Sequence, residues 1–100
     1  MKFSDLQFVQ HPDLPYKDAI QAIHIFPNSY GVKVCSFPGS YGFVEGLYEV
    51  SVIKGTTGNY QACYDTPIAN EILGHCDEID VENIMEDVES LPKCDDFYNV

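Results

Sequence analysis

From Ala19 to Phe26 the chain is dense in apolar and β-branched residues (AIQAIHIF), and Tyr30–Phe37 then alternates, with Val32 and Val34 opposed to Lys33 and Cys35. Pro27-Asn28-Ser29 separates the two runs and Gly31 is free to take a positive φ, so the pair predicts an antiparallel hairpin. Leu47–Lys54 (LYEVSVIK) is the clearest strand. Tyr48, Val50 and Val52 fall on one face, and Leu47, Glu49, Ser51 and Ile53 on the other. Gly55–Asn59 reads as a turn and Tyr60–Tyr64 as a fourth strand. Upstream, Phe3–Val9 reads as a short strand or extended arm. His11-Pro12-Asp13-Leu14-Pro15 is irregular, because its two prolines remove donors and restrict their neighbours.

Beyond Tyr64 the period changes. Thr66 as N-cap, Pro67 at the first helical position and Gly74 as terminator predict a short helix over Pro67–Leu73. A second helix is expected with Asp80 as its cap, and Ile79 and Ile84 as its hydrophobic staple. Its stripe is Val81, Ile84, Met85, Val88 and Leu91, and Pro92 stops it. The expected fold is therefore α+β: a four-stranded antiparallel β-meander followed by two C-terminal helices packed on one face of the sheet. Residues 1–92 are expected to form a single domain, with 93–100 as a mobile tail that Phe97 and Tyr98 could dock. The expected core is Ile23, Val34, Val50, Val52, Ile84, Met85 and Val88.

One hundred residues, 45% of them hydrophobic, suffice for one domain that buries roughly 60–70% of its unfolded surface. Met1-Lys2-Phe3-Ser4-Asp5 turns polar at once, and no apolar run is long enough to span a bilayer. A soluble cytoplasmic protein is expected. In a reducing compartment Cys35, Cys63, Cys76 and Cys94 are thiols without an essential disulfide. The chain has no arginine, five lysines and a net charge of −11. That balance argues against direct binding of nucleic acid and of anionic membranes.

The charge is unevenly placed. Residues 51–100 contain eleven of the sixteen acids and two of the five lysines. Seven of the thirteen residues from Asp77 to Glu89 are acidic: Asp77, Glu78, Asp80, Glu82, Glu86, Asp87 and Glu89. A helix over that stretch would carry one negative charge per ~3 Å of axis, against ~1.7 Å for duplex DNA. It would display Glu82, Glu86 and Glu89 together, opposite the apolar stripe. A solvated face explains many such runs, but the net charge exceeds the magnitude of about 2–8 that solubility needs in a small domain. The seven acids are thus candidate partner-binding residues. Tyr41, in the loop Phe37-Pro38-Gly39-Ser40-Tyr41-Gly42-Phe43, is an eighth, because an aromatic ring gives contact area at low entropic cost.

Metal and catalytic chemistry find less support. His75-Cys76-Asp77 has distant Cys63 and Cys94 as its nearest thiol partners, and there is no CxxC or HxxxH pair. Asp77-Glu78-Ile79-Asp80 lacks the alternating acids and the glycine of a calcium loop. His11, His24 and His75 are scattered, and no nucleophile elbow, P-loop or dinucleotide motif occurs. No catalytic residue, metal or cofactor is assigned.

Three strings, Phe26-Pro27-Asn28-Ser29-Tyr30-Gly31, Gly46-Leu47-Tyr48-Glu49-Val50 and Cys63-Tyr64-Asp65-Thr66-Pro67-Ile68, followed by the acidic segment ending near Leu91, resemble small acidic proteins encoded by tailed phages and prophages. The resemblance implies a phage origin and no defined activity. The expected function is a non-enzymatic binding protein that docks an acidic helix on a basic surface of a host protein, as an inhibitor of a nucleic-acid-binding or defence enzyme. The alternative is an assembly protein that homodimerises through a sheet face or edge, with its acid only solubilising. A small metal-dependent enzyme around His75 and Cys76 is the third reading.

Overall fold

Four of the expected strands form, and the sheet they build is larger than the meander. In the computed structural model, which describes residues 1–94, β1 covers Val9–Gln10, β2 Ile20–Ile25, β3 Tyr30–Ser36, β4 Tyr48–Thr56, β5 Asn59–Ala62 and β6 Leu73–Cys76. One helix, α1, spans Glu78–Glu89, and short 3-10 turns cover Phe3–Asp5 and Phe43–Glu45. The strands follow chain order β1-β2-β3-β4-β5, all antiparallel, and β6 adds to β4 beside β5. Residues 95–100 of the expected tail, with Phe97 and Tyr98, lie outside the described residues. Cys94 is buried, and its amide donates to the Asn28 carbonyl at 2.9 Å.

The expectation of four strands and two helices is thus corrected to six strands and one helix among the described residues; the chain remains α+β. Residues 67–73 are not helical. Thr66 Oγ1 does accept from the Ile68 amide, at 3.3 Å, as a cap would. The segment is too short to offset the cost of helix nucleation. Meanwhile β5 pairs only with the C-terminal half of β4, Ile53–Thr56. The backbone groups on that side of Tyr48–Val50 need partners, and Leu73–Cys76 supplies them. Gly74 therefore lies inside a strand instead of ending a helix.

The central face of the sheet is aligned by register. Ala22 opposes Val34, which opposes Val50, and Val32 opposes Val52. These five side chains are at most 1% exposed, and Val81, Met85 and Val88 of α1 are fully buried in the same cluster. Ile84 packs at its margin. Ile23 is corrected. It opposes Lys33, so it lies on the face away from α1, and Ala22 takes its expected place in the core. At one end Phe3, Phe8 and Tyr48 form an aromatic triad with centroids 5.2–5.7 Å apart.

The start of α1 also differs by one register of caps. Asp77, not Asp80, is the N-cap. Its Oδ1 accepts from the Asp80 amide at 2.8 Å, and Asp80 Oδ2 accepts from the Asp77 amide at 3.0 Å. This reciprocal box puts Cys76 and Val81 at the staple positions, and both are buried. Ile79, expected to staple, is 68% exposed.

The other end of α1 is held from the sheet. Asn28, in the β2–β3 turn, donates from Nδ2 to the carbonyls of Val88 (2.9 Å), Glu89 (3.2 Å) and Leu91 (2.9 Å). Its Oδ1 accepts from the Tyr30 amide at 3.0 Å. A helix end leaves its last carbonyls without intrahelical donors, and the two N–H bonds of this one side chain are shared among two of them, Val88 and Glu89, and the Leu91 carbonyl just beyond the end. The turn takes its positive φ at Ser29 (69°) instead of at Gly31. Gly31 is needed for a different reason: a Cβ there would collide with the carbonyl of His24.

Asn28→Ala is expected to cost about 2–3 kcal/mol, since several hydrogen bonds to carbonyls at and just beyond the helix end disappear together. Asn28→Asp should cost more, because a carboxylate would face carbonyl oxygens at the negative end of the helix dipole. Denaturant melts of the two variants check both magnitude and order; a change below about 0.5 kcal/mol for the alanine variant would refute the cap.

Candidate functional site

The acids of α1 fall into two groups with different tasks. Asp77 and Asp80 cap the helix, and with Glu78 they sit where the dipole favours negative charge. Glu82 is half-buried, and its Oε1 accepts from the Phe3 amide at 2.9 Å, tying the N-terminal arm to the helix. Glu86, Asp87 and Glu89 are exposed in the last turn, which contains no basic residue. Like charges there oppose the dipole and one another.

The expected common face of Glu82, Glu86 and Glu89 also changes. At 3.6 residues per turn, Glu82 and Glu89 flank the buried stripe on the side of the N-terminal arm, and Glu86 lies further round, towards the outside. The outward direction belongs to Ile79, Asn83, Glu86 and Asp87. Exposed depressions divide the acids further. Asp80 and Asp87, with Asn83 and Ile84, form one wall of a groove of about 460 Å³ whose other wall is Glu71–Cys76. Asp77 and Glu78 lie with Ile79 against Gly46–Tyr48, around a smaller hollow of about 280 Å³. Glu89 lines a third, of about 570 Å³, with Asp5 and His24.

Tyr41 lies at a site the sequence did not indicate. Between Tyr48–Cys76 and Val50–Leu73 the β4–β6 register slips, so Gly74 and His75 together oppose one residue of β4. His75 takes φ 54°, a left-handed conformation rare for a residue with a side chain. Its amide donates to the Tyr41 carbonyl at 3.0 Å, and the two rings lie nearly parallel, 19° apart with centroids at 6.4 Å. Gly74 allows this approach, since a Cβ there would sit 2.5 Å from Tyr41 Cβ. Glu49 Oε1 accepts from the Tyr41 amide at 2.8 Å and fixes the loop from the sheet side. Tyr41 and His75 border a groove of about 620 Å³ with Tyr64, Asn70, Glu71 and Ile72. Tyr41 is 63% exposed, Tyr64 43% and Ile72 41%.

The cysteines are buried free thiols. Burial raises Cys35 and Cys76, and for Cys76 the nearby Asp80 and Asp77 add to it. Burial, together with a hydrogen bond from Sγ to Asp65 Oδ1 at 2.8 Å, pushes Cys63 up to about 11. The same bond, ahead of Lys54, lowers Asp65. These are neutral thiols at neutral pH, opposite to the depressed thiolates of reactive cysteines. Among the described residues no three His, Cys, Asp or Glu side chains form a group that could hold a metal ion. The histidines are separate, His11 against Phe37, His24 against Phe26 and His75 against Tyr41.

Tyr64, Glu71 and Ile72 are the residues that sequence reasoning missed, and His75 was weighed there only as a metal or catalytic candidate. The sole local signal was Gly74, whose role is close approach to a ring 33 positions away in the chain. No helix among the described residues is long and apolar enough to cross a membrane. Comparison with known proteins finds no matching family model, no matching curated protein and no matching solved structure.

His75→Gly is expected to raise stability by up to about 1 kcal/mol, because glycine accepts the left-handed conformation at low cost. Gly74→Ala should lower it, since its Cβ meets Tyr41. Thermal melts of the two variants, differing in sign, test the bulge geometry. The Cys63 thiol carries a pH signature as well. Its raised value means that the folded state gains from the protonated thiol at neutral pH, and loses that advantage as pH rises from the ordinary thiol range through about 11. Cys63→Ala should flatten this alkaline loss in melts taken across pH 8–11.

Proposed function

We propose that this chain is a small non-enzymatic binding protein, of the phage-encoded kind its sequence resembles, acting in the host cytoplasm. It docks the outer surface of α1 on a basic surface of a protein partner, a nucleic-acid-binding or defence enzyme. The observation that carries the reading is the exposed acid of the last turn, Glu86, Asp87 and Glu89. Asp77, Asp80 and Glu82 serve the fold through caps and the Phe3 contact. The last-turn acids do the opposite, each costing about 0.3–1 kcal/mol against the dipole in an exposed setting. A binding role gives those charges a use that offsets the cost. Ile79, exposed on the outward side of the same helix, supplies apolar contact once charge has steered the encounter.

A second reading, self-association through the sheet face away from α1, is favoured by half-buried Ile23 and Ile25 on that face. Lys33 and Glu49 lie there too, and a two-fold dimer can pair opposite charges across its axis. A dimer formed in this way would persist at high salt, whereas steering by acid weakens beyond a Debye length of ~8 Å at physiological ionic strength.

The test is a variant carrying Glu86→Gln, Asp87→Asn and Glu89→Gln, with Glu82 retained because it binds Phe3. The fold should survive, and relief of repulsion should stabilise it by a few tenths of a kcal/mol or more. Affinity capture from host extract with mass spectrometry, wild type against variant, at low and high salt, reads the interaction. The expected result is a basic partner held by wild type at low salt and lost by the variant, mainly through slower association. Equal capture by both proteins would show that the acid only solubilises.

A further inference from the structure

The groove beside the β6 bulge has a composition distinct from the acidic helix. Tyr41, Tyr64 and His75 bring three aromatic rings to it, Glu71 brings a carboxylate, and Gly74, having no Cβ, lets the Tyr41 side chain lie close against β6. Glu71 also borders the adjoining groove, where Asp80 and Asp87 stand, and no lysine is among the residues lining either one. Both negative charge and the faces of aromatic rings attract a cation. The near-parallel rings of Tyr41 and His75 favour a flat cation over a tetrahedral one. A guanidinium can stack flat on such faces and present a fork of donors to a carboxylate; an ammonium, a compact point charge, has neither the flat face nor the fork.

We propose that the groove formed by Tyr41, Tyr64, Glu71 and His75 is a receptor for one arginine side chain of the basic partner, with the guanidinium stacked on the rings and paired with Glu71. The proposal rests on the reading of the chain as a binder of a basic protein and names the contact that gives it specificity. The geometry is held from outside the groove. Glu49 fixes the Tyr41 amide, which makes it a positioning residue. The left-handed His75 turns the strand so that its ring meets Tyr41. Backbone strain of this kind persists where surrounding contacts enforce it, and it clusters at ligand sites.

The probe is N-acetyl-arginine methylamide, titrated into the full chain while the ring resonances of Tyr41, Tyr64 and His75 are followed by NMR. Saturable shifts are expected at these rings, with a Kd on the order of 1–10 mM for a lone side chain. The citrulline counterpart, of the same shape and uncharged, should give none, and the lysine counterpart should bind several-fold more weakly. Glu71→Gln and Tyr41→Ala should each weaken the arginine response several-fold. Glu71 is exposed, so its variant serves if the tyrosine variant unfolds. Absence of saturation, an equal response to citrulline or lysine, or an unchanged Kd in Glu71→Gln would each overturn the proposal. Failure here, with partner capture still lost in the α1 variant, would remove the arginine receptor and leave the acidic-face reading standing. An arginine response alongside unchanged capture would do the reverse.

Discussion

The structure depends on a single side chain that joins its two layers. Asn28 belongs to the tight turn between the first two long strands, yet its amide closes the C-terminus of a helix some sixty positions later. Apolar burial alone would hold α1 on the sheet without fixing its position along the sheet, because the hydrophobic effect is non-directional. Directional bonds from Asn28 set where the helix ends. Glu82, bound to the Phe3 amide, pins the arm against the same helix. Between these two points the stripe of Val81, Met85 and Val88 meets the valine rows of the sheet in one register.

That arrangement also separates structural acid from spare acid. A helix this acidic is costly to build, and the fold uses what it can: two aspartates as a reciprocal cap, one glutamate as an anchor. The remaining charge accumulates at the end where the peptide dipoles are least tolerant of it. The Asn28 amide partly offsets this by supplying donors to the last carbonyls. The helix can therefore keep an acidic last turn without a lysine or arginine of its own in that turn.

Strands β2–β5 were legible because each carries its own signal, an alternation or apolar run bounded by glycine, proline or asparagine. The valine core on β3 and β4 followed from the same alternation. Ile23 was misplaced because AIQAIHIF is apolar on both faces, and only its pairing decides which side is buried. Asp77 was overlooked as a cap because four acids in close succession (Asp77, Glu78, Asp80 and Glu82) look alike until the backbone bonds choose one. The segment before β6 offered helical caps but too few residues between them, and the unfilled half of β4 decided its state. The groove at Tyr41 was invisible for a related reason: a left-handed histidine, a glycine and two tyrosines meet there through tertiary contact, and none announces the others along the chain.

The strand order has a consequence for how the molecule is made. Four strands, β2 to β5, each pair with the immediate predecessor in sequence, so each of these pairings closes a short loop and needs little search. Helix α1 comes last, and until it arrives the row of Ala22, Val34 and Val50 faces water. During synthesis the sheet can assemble while its apolar side is bare, a stage at which aggregation competes with folding. Asn28 is in place from early on, with donors waiting for carbonyls not yet made. The turn thus acts as a landing point that is complete before its passenger emerges, and the acidic helix, repelled by copies of itself, is drawn to its own sheet more readily than to a neighbour's helix.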